Sequence, residues 1–427
     1  MKKSIFYLPF LALLLSCSDE FQKDNNNTEN GIKHETGFQT SLNLEESFTA
    51  TRSSENHFIY PNYYSGGYIS DNDELVILVT KGFKTDKIKQ EFQTRSKSSN
   101  IILKECNYSF NELSALNDSL SNIYCNNPDL VNKLGWISVG ITPESNRVSV
   151  YLRDCSDKFI QEFKSEISNS QMIEFEEMDY LDYDVKLEEI ADSIVSKAKA
   201  TVPKNVHAGS LISRIGKATH EGKIVNAILQ GSVGFRAMIG NTHGFITAAH
   251  CAPEVNMKFN FQKTKDSLGI VSKTAISQKV DAAFVSVNYN SFYPTNVTQW
   301  SKIVYQSQCI PIKSITNQIM IIEGQETQKS IKVKVKSTTF SATAVGFSST
   351  GEYYKFPITG AISAEYVSSN DTTKNGDSGG IVYSDTKHLL GGIHTARGRM
   401  KNGTSIEVFT SAEQLLKALG ATSVWKK

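Results

Sequence analysis

From about His207 to Thr410 the chain is a succession of short segments in which apolar and polar residues alternate, separated by Gly, Asn, Ser and Asp. Only Ser411 to Leu419 shows helical periodicity. Alternation with a period of two turns one face of each segment to a core and the other to water, as a half-buried strand requires. Many such strands at close spacing predict an all-β barrel or sandwich, and about 220 residues suits two barrels packed together.

The sequence before it mixes periods. Glu74 to Thr80 is a β-branched apolar run that reads as a buried strand. Thr85 and Asp86 offer N-cap oxygens to a helix that carries Ile88 and Phe92 on one face. Tyr108 to Leu113 opens a second helix reaching about Ile123, and a third runs from Asp157 to about Ile167. Between them, Ile137–Ile141 and Arg147–Leu152 read as strands joined by the turn Pro143–Asn146. These elements predict a small α+β domain within residues 58–200. The acidic stretch from Glu174 to Asp192 reads as a solvated helix or linker face, and Pro203–Ser210 as a boundary before a second domain, 207–427.

At the amino end Lys2 and Lys3 precede an apolar run, Ile5 to Leu15, that is too short to span a bilayer and reads as an export signal over residues 1–16. Leu14-Leu15-Ser16-Cys17 resembles a bacterial lipobox, which implies that Cys17 is acylated, becomes the mature N-terminus and anchors the protein to a membrane. Ser18-Asp19-Glu20 resembles the surface-export tag of some Gram-negative lipoproteins. The expected location is therefore the cell envelope, as an outer-membrane lipoprotein exposed at the surface. Residues 17–57 are polar enough to predict a flexible tether.

Export would place the other five cysteines, Cys106, Cys125, Cys155, Cys251 and Cys309, where disulfides can form, and an odd number leaves at least one unpaired. No CxxC pair or His/Cys cluster has metal-ligand spacing, so neither metal nor other cofactor is expected. With 45 basic against 44 acidic residues the formal charge is +1, which gives no electrostatic footprint for nucleic acid.

Three segments of the β-rich part carry chemistry. Gly244-Phe-Ile-Thr-Ala-Ala-His-Cys251 leads an apolar run into a histidine, where a rigidly held general base would sit; alone, it could equally be a satisfied core histidine. Val280-Asp-Ala-Ala-Phe-Val-Ser-Val287 opens a strand with Asp281, which is either a strand-end turn residue or a buried carboxylate that orients an imidazole. Asn375-Gly-Asp-Ser-Gly-Gly380 is the most specific. Gly376 allows close backbone approach, Ser378 supplies a hydroxyl, and the N–H groups of Gly376 and Ser378 can point at one developing oxyanion.

TAAHC, DAAFV and GDSGG, in that order, resemble the chymotrypsin-like serine proteases over residues 207–427. Spacings of 31 residues from His250 to Asp281 and 97 from Asp281 to Ser378, with Gly231-Ser-Val-Gly-Phe235 upstream, are similar to the bacterial α-lytic protease and streptogrisin branch. The resemblance implies two barrels, with His250 and Asp281 on the first and Ser378 on the second. It also implies a catalytic triad of these three and peptide-bond hydrolysis through an acyl-enzyme, with proteins or peptides as substrates. Two departures stand out. Gly231 occupies the place of a cysteine that pairs with the one after the histidine, leaving Cys251 either a free buried thiol or bonded to Cys309, and Ile381 replaces a common proline.

The front domain resembles the pro-region of the same branch in its strand at 74–80, in Phe110-Asn-Glu-Leu-Ser-Ala-Leu116, and in Ser138-Val-Gly-Ile with Asn146-Arg-Val-Ser-Val. That resemblance implies an intramolecular folding assistant and inhibitor. Gly391-Gly-Ile-His394 is similar to glutamate-specific members, and Thr372, six residues before Ser378, is neutral at the expected pocket base. Thr372, His394 and Arg397 therefore form the expected pocket, with cleavage after Glu, less well after Asp, and self-processing in the Glu-rich stretch before Lys204. A protease fold can also serve as a catalytically silent binding or adhesion surface; against that, all three triad residues and Gly376 are present.

Overall fold

The computed structural model describes residues 36–49, 60–183, 185–190, 205–263, 267–288 and 292–423. Cys17 and the lipobox lie outside these. The first barrel is an antiparallel sheet of Leu211–His220, Lys223–Ser232, Phe235–Ile239, Thr242–Thr247, Lys258–Phe261, Ser267–Thr274 and Ala283–Val287. The second comprises Ile319–Glu323, Ile331–Phe347, Tyr353–Tyr366, Ile381–Ser384, Leu389–Met400 and Ser405–Ser411. It closes on itself because Ile319–Glu323 pairs with both Ile331–Phe347 and Ile381–Ser384. The alternation in sequence shows directly in its walls: Ile331, Val333 and Val335 are buried, while Lys332, Lys334 and Lys336 between them reach outward. Helix Ala412–Leu419 ends the fold.

The front domain is α+β, as its periods predict. Thr85 accepts from the Ile88 N–H at the start of helix Asp86–Ser96, and Ser109 with Glu112 forms a capping box at the start of helix Phe110–Asn126. Strands Trp136–Thr142, Arg147–Leu152 and Ile173–Asp182 form a sheet that joins the second barrel on both sides. Val139 pairs with Ser341 on one side, and Ile173–Asp182 pairs along Leu389–Met400 on the other. Apolar residues of this domain, among them Phe92, Trp136 and Phe163, share one continuous core with Ile322, Val335 and Phe409 of the second barrel.

Two expectations are corrected. The polar stretch 17–57 is not wholly a tether: Gly37–Thr49 is an α-helix that buries Phe38, Leu42, Leu44 and Phe48, with the Phe48 ring 5.0 Å from Tyr60. Phe38 with Leu42, and Leu44 with Phe48, are four-apart pairs, a stripe that the surrounding Asn, Ser, Thr and Glu dilute in any compositional reading. The acidic stretch is neither a helix nor a linker up to Ile190. It forms strands Ile173–Asp182 and Lys186–Glu189, because each borders an open strand edge that only tertiary structure supplies.

Candidate active site

His250 sits in a 3-10 turn, Ala249–Cys251, that follows strand Thr242–Thr247, and Asp281 lies two residues before strand Ala283–Val287. These strands are neighbours, so their ends bring imidazole and carboxylate together. Both side chains are 0% exposed. Asp281 Oδ2 lies 2.7 Å from His250 Nδ1, and its Oδ1 accepts the His250 backbone N–H at 2.8 Å, so one carboxylate fixes ring and backbone at once. Burial, the largest single influence, would lower the imidazole's pKa; the charge and hydrogen bond of Asp281, together with those of Cys251, outweigh it and hold the ring above the ordinary histidine value. His250 Nε2, on the far side of the ring, is buried without a hydrogen-bond partner.

Ser378 is 3% exposed, in the loop that precedes strand Ile381–Ser384 of the second barrel. The first barrel clamps that loop. Ser232 donates its N–H to the Ser378 carbonyl at 2.8 Å and its hydroxyl to the Gly376 carbonyl at 2.9 Å, and the Cys251 thiol, next in the chain to His250, lies 3.9 Å from the same Ser378 carbonyl. Gly376 and Gly379 have φ of +104° and +84°, left-handed values that favour glycine. Asp377 is fully buried and holds the loop from inside, accepting from the N–H groups of Glu326, Thr327 and Lys374 and from the Thr327 hydroxyl. Neither Ser232 nor Asp377's role was legible in the sequence, since both depend on partners far along the chain.

The expected pocket residues separate. His394 is 3% exposed and exchanges backbone hydrogen bonds with the serine loop, donating to Gly380 O and accepting from Gly379 N. Its Nδ1 bonds to Glu407, which is fully buried and also accepts from Tyr366 at 2.7 Å and Thr373 at 3.1 Å. Thr373, rather than half-buried Thr372, joins this network. Arg397 donates to the Thr373 carbonyl, to Asn375 and, through Nε and Nη2, to Asp182 of the front domain. Glu407, thirteen residues beyond His394 on the neighbouring strand, went unnoticed for want of any local motif.

The described cysteines, Cys106, Cys125, Cys155, Cys251 and Cys309, are all free thiols. This corrects the expectation of disulfides and decides the alternative left open for Cys251. It packs against Gly231 and the serine loop, whereas Cys309 pairs along Leu390 at the far end of the strand before His394.

A buried carboxylate, an imidazole with one bare nitrogen and a hydroxyl on a glycine-rich loop are the parts that nucleophilic acyl transfer needs. Residues 21–106 match the family model of the Pro-like N-terminal domain, and residues 111–178 that of the Pro-like C-terminal domain. No curated protein matches the chain. Among solved structures, Thermobifida fusca Protease A is similar at 18% identity and a TM-score of 0.36, covering 51% of this chain and 97% of its own. Nocardiopsis protease is similar at 17% and 0.36, covering 51% and 98%. A glutamic acid specific serine protease, described as using a histidine triad in substrate binding, gives 17% and 0.36, covering 51% and 99%. In its pro-region and in its two-barrel fold the chain resembles the α-lytic type of bacterial chymotrypsin-like proteases.

Proposed function

We propose that the chain is the precursor of a serine endopeptidase. Ser378 attacks a peptide carbonyl while His250 Nε2 takes its proton; Asp281 fixes the ring and balances the charge that forms on it. The N–H groups of Gly376 and Ser378 hold the oxyanion, and water hydrolyses the acyl-enzyme. The single observation that supports this reading is the buried His250–Asp281 pair, whose other ring nitrogen has no hydrogen-bond partner.

An acidic residue before the scissile bond remains the preferred substrate feature in this reading. When both nitrogens of His394 carry protons, Nδ1 donates to Glu407 and Nε2 is left to donate to a substrate carboxylate. Acylation of Cys17 would hold the enzyme at the cell envelope as an outer-membrane lipoprotein. A fluorophosphonate probe tests the chemistry: the processed wild-type protein should be labelled at Ser378, and Ser378→Ala should not. Absence of label under conditions that modify a known serine protease would overturn the enzyme reading in favour of an inert binding surface.

A further inference from the structure

Where the front domain meets the second barrel they leave a cavity of about 490 Å³ between them, within the range of about 300–1,000 Å³ that small-molecule sites occupy. Helix Phe110–Asn126 supplies Tyr124 and Cys125 to its lining, strand Trp136–Thr142 supplies Trp136, and Tyr353–Tyr366 of the barrel supplies Phe356. Tyr183 lines it as well, and its ring lies edge-on to the imidazole of His250 with centroids 6.1 Å apart. Tyr124, Trp136, Tyr183 and Phe356 are all buried, so the walls offer aromatic surface to an apolar body. Two of these residues have already placed their polar atoms: the Trp136 indole N–H donates to Ser138 O at 2.9 Å, and the Tyr124 hydroxyl to Ile137 O at 2.7 Å. Tyr183 has not. Its hydroxyl is buried without a hydrogen-bond partner.

The charge around the cavity is of one sign. Arg153 of the front domain and Lys355 of the second barrel both line it, and no Asp or Glu is among the lining residues. Both cations are exposed, and among the described residues neither side chain has an ion-pair or hydrogen-bond partner. The first barrel adds a third cation: burial pushes the Cys125 thiol up, against the charge and hydrogen bond of Lys279. Docking thus gathers three like charges around one aromatic-walled cavity, and an anion bound among them would offset their repulsion.

We propose that this cavity binds an amphipathic carboxylate, with an acyl or aromatic body against Tyr124, Trp136 and Phe356 and its head at Arg153 and Lys355. The Tyr183 hydroxyl remains in the wall as a donor without a partner. Both parts of the chain contribute walls, so the cavity exists only while they are docked. By linkage a ligand at about a hundredfold excess over its Kd shifts the docking equilibrium about a hundredfold, and with it favours the Tyr183 ring against His250. No triad residue lines the site, which is independent of the acyl-transfer chemistry.

Cys125 is a reporter built into the wall. Full-length Ser378→Ala protein, which keeps the two parts in one chain, should be alkylated with iodoacetamide in the presence of decanoate or of indole-3-propionate, and each thiol followed by peptide mass mapping. At least one carboxylate should slow modification of Cys125 severalfold while leaving Cys155, outside the lining, unchanged. The one that protects at lower concentration identifies the body as acyl or aromatic. The matching alcohol, decanol or indole-3-propanol, should be needed at about fivefold higher concentration for equal protection, as two exposed charge contacts are worth. Combining Arg153→Ser with Lys355→Ser should make acid and alcohol equal. If that double variant fails to fold, acid against alcohol on the parent protein decides alone. No protection by either carboxylate, equal protection of Cys155, an alcohol as effective as its acid, or a double variant that keeps the preference overturns the proposal.

Discussion

Gly231 faces the thiol of Cys251 so closely that a Cβ there would lie 2.9 Å from its Sγ and 3.6 Å from its Cβ. The second distance falls inside the window of about 3.5–4.5 Å that disulfides adopt. Gly231→Cys should therefore bond to Cys251 on oxidation and stabilise the protein by roughly 2–3 kcal/mol, as expected for a loop of this length. Thiol titration with denaturant unfolding checks it; two thiols persisting at these positions under oxidant would sink it. His250 gives a second expectation at this scale. In the proposed mechanism a base must be neutral to act, and Asp281 together with Cys251 holds His250 above its ordinary pKa against the effect of burial. If the pair persists after processing, kcat/KM should fall on the acid side with a midpoint above about 6.5. Asp281→Asn should move that limb to lower pH while cutting kcat on the order of 10⁴-fold; an unmoved limb would show that Asp281 does not set it. His250, Asp281, Gly376 and Ser378 stood out as candidates because acyl transfer demands those residue types within short strings. Thr373, Glu407 and the Asp182 partner of Arg397 did not, because what places them is a contact between distant strands.

The helix Gly37–Thr49 shows what an element contributes beyond covering a core. Its Glu45 is fully buried and accepts from the N–H and hydroxyl of Ser314, at 2.7 and 2.8 Å, beside the protease strand Ile315–Thr316. Burial pushes this carboxyl up to about 7, against the pull of the two Ser314 hydrogen bonds. The docked state therefore binds a proton that the undocked state gives up at an ordinary glutamate pKa. A raised carboxyl stabilises docking fully below the undocked value, near 4.5, and that contribution is gone once the pH passes about 7. Its size is on the order of 3 kcal/mol for a shift of this extent. Affinity of the cleaved pro-region for the protease should thus weaken as pH rises from 5 to 8, and Glu45→Gln should flatten that dependence. Calorimetric titration at both pH values measures it, and an equally steep dependence in the Gln variant would exclude Glu45 as the cause. Sequence reading found the helices with caps and apolar pairs in plain view, and missed this one for its polar surroundings. It found strands by alternation, and missed Ile173–Asp182 because carboxylates line it and its pairing edge lies on the other domain.

Across the molecule the two halves of the chain do not have separate interiors. The second barrel shares its core with the pro-region: Ile322, Val335, Ile362 and Phe409 belong to the same apolar cluster as Leu44, Phe92, Leu113 and Trp136. Strands Trp136–Thr142 and Ile173–Asp182 close against the barrel on both sides, so removing the pro-region withdraws apolar cover and strand partners together. The first barrel loses less, since the apolar cluster that holds its Phe245, Phe259 and Phe284 takes few buried members from the front domain, among them Tyr151, Met178 and Tyr183. Residues 207–427 refolded alone should accordingly reach a compact state with the second barrel incompletely packed. Little of it should take a fluorophosphonate at Ser378, because His394 and the serine loop hang on that barrel. Residues 36–183 added in trans should raise the labelled fraction severalfold and then, while bound, inhibit peptide cleavage, since the Tyr183 ring lies edge-on to the imidazole of His250 and the strand before it pairs along Leu389–Met400. Residues 60–183, which lack the helix Gly37–Thr49, should assist less, since they leave the Ser314 side of the shared core open. Labelling yield after refolding with each piece decides the matter. Efficient unaided refolding, or equal help from both pieces, would mean that the shared core is not what the protease needs in order to fold.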